Sequence, residues 1–184
     1  MAEHFKNILK KISSHMEKKI RHIDILTDEE KKQLLYDFNR TNMVYSGNKS
    51  IIELFEEQAE KTPHNIAVVF EDKQLTYEEL NRKANQIARL LRNKGIKPDM
   101  PAAILVTPSP EMIVSVIGVL KSGGTYVPLA HDYPLKRLKS IICDTGSKVL
   151  LSQKGLFERI NFSGIIIDLE DEKVKEAIER LPDG

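Results

Sequence analysis

From Ala102 onward the chain alternates short apolar runs with stretches of helical periodicity, and that alternation limits the folds open to it. Ala102 to Val106, Thr125 to Val127, Val149 to Leu151 and Gly164 to Asp168 read as strands, the last of them buried. Met112 to Leu120, then Leu135, Leu138, Ile141 and Ile142, then Val174, Ala177, Ile178 and Leu181 recur at helix spacing. Apolar strands separated by helices predict a parallel sheet with helices on both faces, an α/β layered fold. Ser109 is expected to cap the first of these helices, with Pro110 in its first position. Gly118 is expected to let that helix approach a strand, and Gly123-Gly124 to end it.

The helix before this region marks both of its ends. Thr76 and Glu79 form a capping box, and Leu75 and Leu80 flank it as a hydrophobic staple. Leu80, Ala84, Ile87, Ala88 and Leu91 make one stripe, which Gly95, Ile96 and Pro98 terminate. Upstream, Ile66 to Phe70 reads as a buried strand turned back by Glu71-Asp72-Lys73 into Gln74-Leu75. A helix over 51–61 starts at the Ser50–Glu53 capping box, shows Ile51, Leu54, Phe55 and Ala59 on one face, and ends at Thr62-Pro63. Another starts at the Thr27–Glu30 box and carries Leu34, Leu35 and Phe38. Phe5, Ile8, Leu9, Ile12 and Met16 predict an amphipathic helix over about residues 4–20. Its short apolar face suits packing on a neighbouring domain better than lying on a membrane. Arg21 to Leu26 reads as a connector, and Asn39 to Lys49, polar and without period, as a linker. The organisation expected is residues 1–46 as linker helices and 47–184 as a separate domain portion.

Charge excludes one class of partner. With 28 basic and 27 acidic side chains there is no basic field for nucleic acid. Met112 to Leu120 is too short to cross a bilayer, and no secretory signal pattern opens the sequence, so a cytoplasmic location is expected. The single cysteine, Cys143, allows neither an internal disulfide nor a cysteine zinc cluster. Beside Leu138, Ile141 and Ile142 it is expected to be a buried small apolar residue.

Few residues offer chemistry of their own. Gly47-Asn48-Lys49-Ser50 has the ending of a phosphate loop but lacks the earlier glycine and a preceding strand. Gly123-Gly124 follows a helix and precedes a strand, the reverse of an anion-binding turn. Thr145-Gly146-Ser147 reads as an ordinary turn. His4, His15, His22 and His64 lack partners at metal-ligand spacing. His131-Asp132 pairs imidazole with carboxylate, but neighbours in sequence rarely face each other, so a surface loop is expected.

Two stretches carry a family resemblance. Leu75-Thr76-Tyr77-Glu78-Glu79-Leu80 resembles the first core motif of the adenylation domains of nonribosomal peptide synthetases. Leu120-Lys121-Ser122-Gly123-Gly124-Thr125-Tyr126-Val127-Pro128 resembles the second. Their spacing, Tyr133-Pro134 and Lys148 to Ser152 fit the same family, whereas Ala130 and His131 depart from its usual Asp and Pro. His4 to Lys19 and Ile23 to Asn39 resemble the end of a condensation domain and the lead-in to adenylation.

The resemblance implies the first part of an adenylate-forming fold. Its parent reaction joins an amino acid to ATP with magnesium, then passes the acyl group to a carrier protein's phosphopantetheine thiol. It also implies as partners the remainder of the adenylation domain, condensation and carrier domains, and a small MbtH-like protein. The family's phosphate loop, ribose-binding Asp and catalytic Lys have no counterpart in these residues, so no catalytic, cofactor or metal residue is expected. Leu75, Thr76, Tyr77, Glu79, Leu80, Leu120, Lys121, Gly123, Gly124, Tyr126 and Pro128 are expected to serve as scaffold, with Tyr77 and Tyr126 sealing a core. The alternatives are a non-catalytic docking module of the same fold or an unrelated nucleotide-binding α/β domain. Against the last, Thr107-Pro108-Ser109-Pro110 places proline where a dinucleotide turn wants glycine.

Overall fold

The computed structural model describes residues 2–14, 17, 19, 23–43, 47, 49–153 and 155–182. The chain divides into two compact units, Met1–Gly47 and Asn48–Gly184.

The first unit contains α1 (Ala2–Ser14) and α2 (Asp28–Lys32), which continues as a π-helical turn over Gln33–Asp37. The periodicity predicts a helix over about residues 4–20; the described helix is Ala2–Ser14, Glu17 lies in a turn, and His15, Met16 and His22 lie outside the described residues. Thr27 and Glu30 exchange the two bonds of the capping box, 3.2 Å to the Thr27 hydroxyl and 2.9 Å to the Glu30 carboxylate. None of the described residues here is buried. Polar contacts hold α1 to the segment before α2. His4 Nε2 lies 2.6 Å from Glu30 Oε1, and Asn7 Nδ2 donates to the carbonyls of Ile25 and Leu26 at 2.9 Å. Lys11 Nζ donates to those of Asp24 and Leu26.

The second unit runs α3 (Ile51–Lys61), β1 (Ile66–Phe70), β2 (Lys73–Thr76), α4 (Tyr77–Asn93), β3 (Pro101–Leu105), α5 (Pro110–Lys121), β4 (Thr125–Pro128), α6 (Leu135–Thr145), β5 (Val149–Ser152), β6 (Ile165–Asp168) and α7 (Glu172–Glu179). Its sheet has the order β4-β3-β5-β6, every pair parallel. Strand alternation deals side chains to two layers. Ala102, Ile104, Val149, Leu151 and Ile167 join a core with α4, α5 and α7, while Ala103, Leu105 and Leu150 pack with Leu138 of α6, Leu129 and Ile160. Helices thus cover both faces, as the alternation in sequence requires.

Both ends of α4 follow local chemistry. At its C-terminus Gly95 takes φ +91°, its amide bonds Arg92 O, and the Ile96 amide reaches back to Leu91 O at 3.0 Å. That is a Schellman ending, and Ile96 closes it as a buried apolar contact.

Several expectations need correcting. β1 pairs only with β2, in a separate antiparallel hairpin, so Ile66 and Val69 are exposed rather than buried. β6 is an edge strand in which only Ile167 is buried. Gly118 meets a helix and not a strand: a Cβ there would fall 2.5 Å from Ile87 Cγ2 of α4. Ser109 occupies the N-cap of α5, yet its hydroxyl makes no capping bond. Cys143 is exposed. Tyr126 is 40% exposed on the outermost strand, β4, and so is not enclosed in a core.

Candidate functional site

The two motifs meet at α3. In the first, the Thr76 amide donates to Glu79 Oε2 at 2.9 Å and the Glu79 amide donates to Thr76 Oγ1 at 3.2 Å. Leu80 is buried in the main core and Leu75 packs against it. The Tyr77 amide bonds Asn65 O, and the Tyr77 ring stands 6.2 Å from that of Phe55. In the second, Lys121 closes α5 with a side chain only 5% exposed. Its ammonium donates to Glu56 of α3 and lies 5.8 Å from the centre of the Phe55 ring. Arg92 of α4 donates to the carbonyls of Lys121 and Ser122. Tyr77 and Lys121, far apart in sequence, therefore share the Phe55–Glu56 pair. Sequence reasoning missed Glu56 and the junction made by Phe55. A lysine at the end of an otherwise apolar helix was the available sign that a carboxylate would be needed nearby.

The Gly123-Gly124 turn spends its amides on its own backbone. Ser122 N bonds Gly118 O, Gly123 N bonds Leu120 O, Gly124 N bonds Val119 O, and Thr125 N bonds Met100 O. A Cβ on Gly124 would fall 3.0 Å from Met100 O and 3.1 Å from an Ile96 methyl, so a larger residue there would have to push its neighbours back by a few tenths of an ångström. No amide of this turn is left to face a phosphate. Among the described residues no group of three or more His, Cys, Asp or Glu side chains could hold a metal ion. The Gly123-Gly124 turn therefore does not fit a nucleotide phosphate.

The other sequence candidates stay apart. Ser50 caps α3 through Glu53, and Lys49 pairs with Glu57, while Asn48 lies outside the described residues. His64 faces Glu78 at 3.6 Å on the surface. The His131–Tyr133 loop is held by Arg159, which donates to the carbonyls of His131 and Tyr133 at 2.8 and 3.1 Å. A cleft of about 560 Å³ lies beside the first motif, walled by Leu75, Ile87, Val114 and Ile178. Its rim mixes Lys83 and Lys175 with Glu111 and Glu179, so it presents no single sign of charge to a polyphosphate.

The first motif gives α4 a pH dependence. Bonds from the Thr76 amide, then its hydroxyl, hold the Glu79 carboxyl below its ordinary 4.5. A depressed folded-state pKa contributes stability that is present above the unfolded value and lost as pH falls through the folded one. Glu79→Gln is expected to flatten the loss of stability below about pH 4.5, measured as thermal midpoints in an acid series.

A family model described as AMP-binding enzyme matches residues 55–182, which span both motifs and the whole parallel sheet. The chain belongs to the AMP-binding enzyme family. Its relatives are nonribosomal peptide synthetases. It is 48% identical over 173 residues to gramicidin S synthase 2 of Brevibacillus brevis, covering 94% of this chain and 4% of that protein. It is 42% identical over 175 residues to bacitracin synthase 1 of Bacillus licheniformis, covering 95% and 3%. The chain thus spans a small part of the curated relatives it matches. Among solved structures, AB3403, a four-domain nonribosomal peptide synthetase bound to AMP and glycine, aligns at TM-score 0.81 and 25% identity over 96% of this chain and 14% of that one. The N-terminal subdomain of NpsA from Klebsiella oxytoca aligns at TM-score 0.63 and 20% identity over 74% of this chain and 34% of that one, a likeness of fold. The AMP-binding region here corresponds to an N-terminal portion of a synthetase adenylation domain.

Proposed function

We propose that this chain supplies the structural opening of an amino-acid-activating adenylation domain. The complete enzyme would join an amino acid to ATP with magnesium and load the acyl group onto a carrier protein's phosphopantetheine thiol. The observation that supports this most is the likeness to synthetases across 94% of the chain, including both motifs. Within that reading the motif residues are scaffold: Thr76 and Glu79 start a helix, Gly123 and Gly124 reverse the chain, and Lys121 ties both to α3. Residues 1–46 form the lead-in from a condensation domain. The natural partners are the remainder of the adenylation domain, condensation and carrier domains and an MbtH-like protein, in the cytoplasm. Among the described residues no helix is long and apolar enough to cross a membrane.

The 184-residue chain on its own is expected to show no amino-acid-dependent ATP–pyrophosphate exchange with any proteinogenic amino acid. The complete synthetase polypeptide that carries it should show exchange with at least one. Exchange by the chain alone would refute the scaffold assignment, and none from the complete polypeptide would refute the adenylation reading.

A further inference from the structure

The cleft of about 560 Å³ beside the first motif is larger than the scaffold role of that motif needs. Its volume falls within the ~300–1,000 Å³ of small-molecule sites. It lies wholly within the second unit, between the β1–β2 hairpin, α4, the first turns of α5, and α7. Leu75, Ile87, Val114 and Ile178 give it an apolar wall. One buried amide in its lining lacks a full set of partners. Gln86 is 7% exposed, and its Nε2 donates to the carbonyls of Glu179 and Leu181, both at 3.4 Å. Its Oε1 accepts no hydrogen bond from any described residue. A ligand that filled the cleft without offering a donor would strip water from that oxygen and leave it unpaired. The rim carries both signs of charge. Among the described residues, Lys73, Lys83, Glu111 and Glu179 form no salt bridge.

We propose that this cleft binds a short apolar peptide with free termini, of the size of a dipeptide of aliphatic residues. Aliphatic side chains match the wall, and a peptide N–H matches the free oxygen of Gln86. The ammonium and carboxylate of a zwitterion match a rim that holds carboxylates and ammonium groups together. Other ligands leave part of the site unanswered. A fatty acid offers a carboxylate to the lysines but no N–H to Gln86 and no cation to Glu111 or Glu179. A nucleotide brings its phosphates against those same two carboxylates. A free amino acid has no peptide N–H and spans less of the cleft. A bound peptide would touch α4 and α7 together, reinforcing the two long bonds that Gln86 makes between them.

The test uses the natural polypeptide containing these residues and the dipeptide L-photo-leucyl-L-leucine, whose diazirine inserts into neighbouring groups on irradiation. Labelled peptides are mapped by mass spectrometry. Label is expected in residues 73–87, 110–115 and 169–179, half-saturating on the order of a few hundred micromolar. Excess L-leucyl-L-leucine should displace it. N-acetyl-L-leucyl-L-leucinamide, which lacks both charges, and decanoate should each compete about tenfold less well. Gln86→Leu should lower the label about tenfold, and Val114→Phe, which fills the cleft and keeps Gln86, should remove it. Thermal midpoints show whether each variant is folded, and the map of the unsubstituted polypeptide decides the matter where one is not. Absence of label from these segments overturns the proposal. So does label that decanoate displaces as readily as the dipeptide, or label unchanged in both folded variants. Loss of ATP–pyrophosphate exchange would strike the adenylation reading alone, because the label is read independently of activity.

Discussion

Replacing Gly118 with valine is expected to lower the stability of the second unit by about 3 kcal/mol, through overpacking at a site with no room to yield. The urea midpoint should fall with the slope unchanged. The cause lies between α4 and α5, where the two helices approach across a glycine. A Cβ at position 118 would lie 2.5 Å from Ile87 Cγ2, 2.7 Å from Ile87 Cβ and 3.2 Å from the Ala84 carbonyl oxygen. The Ile87 Cγ2 methyl could rotate away, but Ile87 Cβ is fixed to the α4 backbone, so the 2.7 Å overlap is relieved only if the helices move apart. The modest gain in helix propensity over glycine is too small to offset the overlap. Combining the change with Ile87→Ala should recover part of the loss, so the double variant is more stable than the sum of the singles predicts. A Gly118→Val protein with the parental midpoint would mean that the helices do not pack as described.

The second large effect is expected at Glu56. Glu56→Gln removes the carboxylate opposite a buried ammonium, and an unpaired buried charge is what makes such changes severe. Glu56 is 45% exposed in its side chain, so water reaches that end of the pair and moderates the loss to about 2 kcal/mol. Lys121→Met should cost less, because it withdraws the buried charge and keeps an unbranched chain over the Phe55 ring. The order of the two variants is decisive: a Lys121→Met midpoint below that of Glu56→Gln would show that the ion pair itself is not what fastens α3. The double variant should be more stable than the sum of the two losses implies.

Much of the architecture was legible because local rules and global fold agree. Thr76, Glu79, Gly95 and Ile96 specify the two ends of α4 within a few residues of each, and both bonds of the expected capping box are made. The parallel sheet follows from apolar runs alternating with helices, and its four strands lie where those runs are. What escaped were properties that depend on a neighbour distant in sequence. The isoleucines of β6 read as buried because composition does not reveal which strand stands at an edge. Ile66 and Val69 read as buried because their run is apolar and β-branched, which does not reveal that it pairs only within a separate hairpin. Cys143 was a different case. It follows Leu138 by five residues and so falls off the stripe of Leu138, Ile141 and Ile142, a reading of helix phase that would have placed it outside. The contact of Lys121 with Glu56 spans sixty-five positions, and only the fold brings those residues together.

The two rims of the sheet differ in their capacity to accept another strand. On β4 the amides of Thr125 and Leu129 turn inward to β3, so Tyr126 and Pro128 hold the outward positions, and proline has no hydrogen to offer. On β6 the amides of Ile165 and Leu169 turn inward to β5, leaving Ile166 and Asp168 outward with ordinary main-chain groups. β4 thus offers an added strand one donor fewer than β6 does. Head-to-tail stacking into filaments needs two receptive rims, whereas one suffices for a closed pair or a single added strand.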